Sequence, residues 1–163
     1  MDDSKALKEI QGIRKGRVEK AEDDLRKAQA LLKQRQAEFI QAKEALEKYL
    51  QELPGLIESL YADCIGYVVS REFVQDKIKD EALLRAKVED YKMQVQEAME
   101  AIKKQQAVVE EANERLHREQ RKFDALGELL DEMKKEQRIA QGRADAKVLD
   151  DLASSKFVRA RNR

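Results

Sequence analysis

The sequence predicts an all-α protein, a long antiparallel two-helix coiled-coil hairpin with a short helix at the joint. Three observations predict it. Large apolar residues recur every seven positions in two long segments, a Pro-Gly pair and an apolar stretch separate those segments, and the composition lacks the material for a layered core. Of 163 residues, 40% are charged, 5% are aromatic, none is Trp, and 20 of the hydrophobic ones are Ala. A chain dominated by Ala, Glu, Lys, Leu, Arg and Gln with a helical repeat has the composition of a long helix or coiled coil. Disorder calls for high net charge and little periodicity. Here 33 basic residues cancel 33 acidic ones, and the repeat is strong.

The first helix is expected over residues 4–53. Val18, Leu25, Leu32, Phe39, Leu46 and Leu53 fall seven apart, and Ala21, Ala28, Arg35, Ala42 and Tyr49 occupy the companion positions three residues on. A repeat of seven averages 3.5 residues per step and implies a left-handed supercoil. Glu22–Arg26, Asp23–Lys27, Glu44–Lys48, Glu100–Lys104, Glu111–Arg115 and Glu114–Arg118 have the favourable acid-before-base spacing of four along the outer faces.

The joint is expected over 54–70. Pro54 followed by Gly55 reads as the stop of the first helix, because proline lacks the N–H and its ring collides with the preceding turn. A short helix is expected near 56–65, interrupted again at Gly66. Ser70 has the position of an N-cap, with Val69 before it and Val74 four residues after it in the arrangement of a hydrophobic staple.

The second helix is expected over 71–152. Val88, Val95, Ile102, Val109, Leu116, Phe123 and Leu130 form its large set, with Leu84, Tyr91, Ala98, Gln105, Ala112, Glu119, Leu126 and Met133 as companions. Folding back sets Leu53 near Val88, Leu7 near Met133 and polar Arg35 opposite Gln105. Each seam then spans about 75 Å, the length of some 50 helical residues. Beyond Met133 the chain overhangs and ends in a basic tail over 153–163. The whole of 1–163 reads as one elongated hairpin. A parallel homodimer is the competing arrangement, but the Pro-Gly pair would break its seam midway.

Catalytic chemistry finds no parts. His117 stands alone, and helical geometry points it outward beside Arg118. Cys64 has no basic neighbour to depress its pKa and reads as a small apolar side chain. No cofactor or metal is implied, and the chain reads as a non-enzyme. A single Cys makes a reducing compartment the default. The most apolar stretch is broken by Pro54, Glu58 and Asp63, so no membrane insertion is expected.

Two regions remain for contact. Arg14, Lys15 and Arg17, and later Lys156, Arg159, Arg161 and Arg163, form basic clusters that the hairpin would bring to one end. Without interleaved aromatics they do not read as a nucleic-acid surface, and an acidic protein ring or groove is the partner they suit. The joint holds Leu60, Tyr61, Ile65, Tyr67, Phe73 and Val74, and no Lys or Arg occurs from Tyr49 to Ser70. It is either folded back on the hairpin tip or offered as a docking surface.

The stretch "LKEIQGIRKGRVEKAEDDLRKAQALLKQRQAEF", residues 7–39, resembles the opening of the YscO family of type III secretion proteins, relatives of flagellar FliJ. The resemblance implies a central stalk in the cytoplasm, peripheral to the inner-membrane secretion apparatus. Its terminal end would enter the hexameric export ATPase, its opposite end would reach the export gate, and secretion chaperones are further partners. Arg14, Lys15, Arg17 and Val18 in "IRKGRVEKAE" would then lie at the ATPase end, with the joint toward the gate. A generic coiled-coil tether and a prefoldin-like chaperone with an apolar tip remain the alternatives.

Overall fold

The computed structural model describes residues 2–162, and Arg163 of the second basic cluster lies outside them. Among the described residues the regular elements are two long α-helices and one short 3-10 turn. Helix α1 spans Asp2–Tyr61, the 3-10 turn Ala62–Cys64, and helix α2 Arg71–Arg161.

Both helices show an unbroken seam. On α1 the heptad positions shielded from solvent run 4, 7, 11, 14, 18, 21, 25, 28, 32, 35, 39, 42, 46, 49 and 53, with 24, 31, 38 and 45 partly shielded along one edge. On α2 they run 74, 77, 81, 84, 88, 91, 95, 98, 102, 105, 109, 112, 116, 119, 123, 126, 130 and 133, with 101, 120 and 127 partly shielded beside them. The alternation of three and four is the heptad in both cases, with polar residues on the remaining faces. The α2 seam therefore begins at Val74, ten residues before Leu84. After Leu53 the α1 seam steps by four to Ile57, then to Leu60 and Tyr61, a stutter in the repeat.

Two end points differ from the sequence expectation. Pro54 does not stop the first helix. It lies inside α1, which continues to Tyr61, so the separate short helix near 56–65 is absorbed into α1 and the closing 3-10 turn. Pro54 and Leu50, whose carbonyl loses its helical donor to the proline, are both exposed, on the face away from the seam. Beyond the proline, Ile57, Leu60 and Tyr61 return to the seam and tie the last turns to α2. At the other end, the tail expected beyond 152 continues as helix to Arg161. Its sequence, "DDLASSKFVRAR", contains no Pro or Gly, so nothing in it terminates a helix.

The start of α2 follows the local signal. The Phe73 N–H donates to Ser70 Oγ at 3.1 Å, and the Val74 N–H donates to the Ser70 carbonyl at 3.2 Å. Ser70 is the N-cap, with its hydroxyl satisfying an amide of the first turn.

The contacts fall into two compact units, and both helices contribute to each. One comprises Asp23–Asn113. In it α1 and α2 are antiparallel, since Ala28 meets Gln105, Tyr49 meets Leu84, and Tyr61 meets Glu81. Its most buried side chains are Ala28, Tyr49, Leu53, Gln105 and Ala112. The Tyr49 hydroxyl donates to the Leu84 carbonyl at 2.5 Å, and its ring lies 4.9 Å from that of Tyr91. Burial, and then the neighbouring Tyr91, push the Tyr49 phenol up. The Gln105 amide donates to the Ala28 carbonyl at 2.9 Å. The polar pair expected between Arg35 and Gln105 does not form as such. Gln105 reaches one heptad further along α1, and Arg35 turns to Glu38 on its own helix at 3.0 Å.

The other unit comprises Met1–Glu22 and Glu114–Arg163. Val18, Ala21 and Leu130 are its buried residues. Gln11 lies against Gly127, where an added Cβ would sit 3.8 Å from the Gln11 amide nitrogen. From Lys134 to Arg161 every residue of α2 is exposed, so this length of helix packs on nothing among the described residues.

Two of the outer-face bases pair with different neighbours from those the acid-before-base spacing suggests. Arg26 takes Asp23 and Lys48 takes Glu52. On solvated faces several partners lie within reach at nearly equal free energy, so spacing alone does not choose between them.

Candidate functional site

In the unit that pairs Met1–Glu22 with Glu114–Arg163, the basic residues of the "IRKGRVEKAE" segment separate by face. Lys15 and Arg17 are exposed, whereas Val18 is buried and Arg14 is drawn into the seam. Arg14 is the residue seven before Ala21, so the companion register, extended one heptad backward, marks it as a seam position. Its Nη1 stands 3.9 Å from Glu119 Oε2, too far for a hydrogen bond, and both atoms are buried without one. Glu119 also has Lys122 at 3.7 Å. An ion pair of this kind specifies alignment more than it stabilises, because desolvation offsets most of the Coulomb gain. The exposed bases of the segment are Lys15, Arg17 and Lys20, with Ile13 and Glu19 exposed beside them.

The two basic clusters do not meet. Arg14 is level with Glu119, and 37 residues of α2 separate Glu119 from Lys156, about 55 Å of helix. The expectation of one shared basic end fails because α2 overhangs as helix instead of folding back or fraying. That overhang exposes Ile139, Val148, Leu149, Leu152, Phe157 and Val158 among its charges.

The joint combines a tethered half and an exposed half. Leu60 and Val74 are half-buried on the seam. Tyr61 donates its hydroxyl to Glu81 Oε2 at 2.6 Å, and Glu81 accepts from Arg85 at 2.9 Å through its other oxygen. The hydrogen bond from Tyr61, followed by that from Arg85, holds the Glu81 carboxyl below its ordinary range. The same bond, followed by burial, raises the Tyr61 phenol. Lys77 bridges the two sides, 4.0 Å from Asp63 and 5.0 Å from the centre of the Phe73 ring. Sequence reading missed Glu81 and Lys77 as seam residues, although Val74, Glu81 and Val88 already stand seven apart.

The exposed half is the turn itself. Gly66 adopts φ +80°, a left-handed conformation that a side chain disfavours, and it reverses the chain. Ile65 and Tyr67 are each 71% exposed, and Val68 is fully exposed at 105%. Self-burial thus covers Leu60, Tyr61 and Val74, while Ile65, Tyr67 and, at the margin, Phe73 face solvent.

Among the described residues no helix is long and apolar enough to cross a membrane, and no three metal-ligating side chains cluster. Two antiparallel coiled-coil units, a cationic face with an unpartnered helix on one and an apolar turn on the other, define a coiled-coil protein whose exposed features are contact surfaces. The family model of the type III secretion protein YscO matches residues 7–147, and the chain belongs to that family. It is accordingly a stalk-type structural component of a type III secretion apparatus. No curated protein and no solved structure matches the chain.

Proposed function

We propose that this YscO-family chain is the non-catalytic stalk that couples a secretion ATPase to the export gate, at the cytoplasmic side of the inner-membrane apparatus. The unit containing Lys15, Arg17 and the exposed α2 overhang binds the ATPase hexamer. Arg14 and Val18 support that surface from the seam. The joint of the other unit, through Ile65, Tyr67 and Phe73, docks on the gate, with Leu60, Tyr61 and Val74 holding it in shape.

One observation carries the reading: two chemically unlike exposed surfaces lie on different units, one cationic and one apolar. Both helices run through both units without a break in secondary structure. A component that transmits between two machines needs such a division, whereas an enzyme needs a concave site with convergent polar groups. Exposed apolar residues on a turn this small mark a contact.

The test is to titrate the purified chain against the export ATPase of its own secretion system and follow hydrolysis and hexamer assembly. Stimulation is expected, and a Lys15→Glu, Arg17→Glu double variant is expected to lose it with helicity unchanged. No stimulation by the wild-type chain at any salt concentration refutes the coupling role and favours a plain tether. The exposure of Tyr67 and Val68 also suits a chaperone that grips unfolded clients. Suppression of aggregation of unrelated unfolded proteins, abolished by Tyr67→Asp, is the result that would favour that reading.

A further inference from the structure

After the hydrogen-bonded turn at residues 65–66, the connection to α2 leaves most of its backbone unpaired. Flanking it, the Ile65 N–H donates to the Ala62 carbonyl, and the Val74 N–H to the Ser70 carbonyl. Between those two bonds no N–H from Val68 to Ser70, and no carbonyl from Gly66 to Val69, has a hydrogen-bond partner among the described residues. The chain enters the segment extended, with Ile65 at φ −81° and ψ 118°. After Gly66 no residue has positive φ and none is helical until Arg71. The side chains are Tyr67, Val68 and Val69, an aromatic and two β-branched residues of high strand preference. Val68 stands fully in solvent, and Val69 is half-buried and anchors the segment to the helix pair. Nothing about a hairpin connection requires this sequence, for which Gly, Asn and Ser suffice.

We propose that residues 66–70 pair as an added strand with the open edge of a β-sheet on the partner the joint meets, where Lys or Arg side chains flank that edge. Main-chain hydrogen bonds supply affinity in this mode and side chains on alternate faces supply selectivity. Charge selects the occupant. From Tyr49 to Arg85 the chain carries seven acidic and four basic residues, and Lys77 is already engaged with Asp63 and Phe73. A joint whose flanking helix ends carry this net acidic charge repels the same joint of a second copy and attracts a basic rim. The proposal rests on the reading that the joint docks on the export gate, and it adds the chemistry by which it does so.

The experiment uses the full chain and the cytoplasmic domain of the export gate from the same secretion system. Val68→Pro deletes one amide donor while keeping an apolar residue in extended backbone. Val68→Thr keeps the donor and the β-branch. Binding is expected to weaken by about tenfold or more for V68P and by about threefold or less for V68T. In the complex the amides of 67–69 are expected to gain protection from hydrogen exchange. Binding by the wild type without that protection overturns strand pairing but leaves docking standing, whether V68P binds or not. Equal losses in V68P and V68T overturn it as well, because the side chain then carries the contact. No binding of the wild-type chain removes the docking reading and the strand proposal together.

Discussion

Replacing Pro54 with Ala is expected to stabilise the protein, although proline is what marks the joint in the sequence. Inside a helix, proline is less favourable than alanine by about 3 kcal/mol, through the missing hydrogen bond and the ring's clash with the preceding turn. It returns about 0.4–1 kcal/mol by restricting the unfolded chain. The net gain from Pro54→Ala is therefore about 2 kcal/mol. The helix persists through Pro54 because seam contacts beyond it offset that cost. Ile57 and Leu60 are half-buried, and half of a full burial of about 1.5–3 kcal/mol gives roughly 1 kcal/mol each. The hydrogen bond from Tyr61 to Glu81 acts in the same direction. The balance is close, so truncating one seam residue decides it. Leu60→Ala is expected to release residues 55–61 to fast hydrogen exchange in the wild-type background, and to leave them protected when combined with Pro54→Ala. Urea unfolding followed by circular dichroism gives the stability change, and exchange mass spectrometry gives the local one. A destabilising Pro54→Ala, or unchanged protection in Leu60→Ala, would refute the claim that the tertiary seam, and not local sequence, carries α1 past the proline.

Other outcomes follow from the same structure. Leu130, at 4% exposure the most buried large side chain of its unit, is expected to cost about 2–4 kcal/mol when changed to Ala, read as a lower urea midpoint. Arg14→Met alone is expected to destabilise by leaving Glu119 short of its cross-seam partner. Arg14→Met with Glu119→Met is expected to be neutral or stabilising by about 1–4 kcal/mol, since an apolar seam replaces a poorly bonded ion pair, and thermal melts of the two separate the cases. Glu81 has a depressed carboxyl pKa, so its stabilising contribution is present above the ordinary carboxylate range and is lost as pH falls through the folded value. Exchange at residues 55–64 should therefore quicken in acid, and Tyr61→Phe should blunt that dependence. Gly66→Ala places a side chain at φ +80° and is expected to cost about 1–2 kcal/mol, detectable as a lower melting temperature with unchanged helicity.

The heptad over residues 18–53 and 84–133 was legible because it is a property of each helix taken alone. Burying one stripe every 3.5 residues demands Val18, Leu25 and Leu32 on one side and Val88, Val95 and Ile102 on the other, whatever the fine register. The Ser70 cap was legible for a similar reason, since a hydroxyl and an amide three residues apart need no distant partner. Charge placement gave Lys15 and Arg17 as exposed bases, while Arg14 had to be moved into the seam once its heptad position was counted.

The tertiary structure decided what depends on a partner helix. Whether Pro54 ends α1 is a contest between a local cost and contacts made with residues 20 positions away, as Tyr61 and Glu81 show. Gln105 could have met Arg35 or Ala28, two choices one heptad apart, and the seam's packing selected the Ala28 carbonyl. The joint's division into a tethered Tyr61 and an exposed Tyr67 is likewise unreadable from composition, because both are tyrosines in one apolar stretch. Periodicity fixes which side of a helix is buried, and only the opposing helix fixes what lies against it.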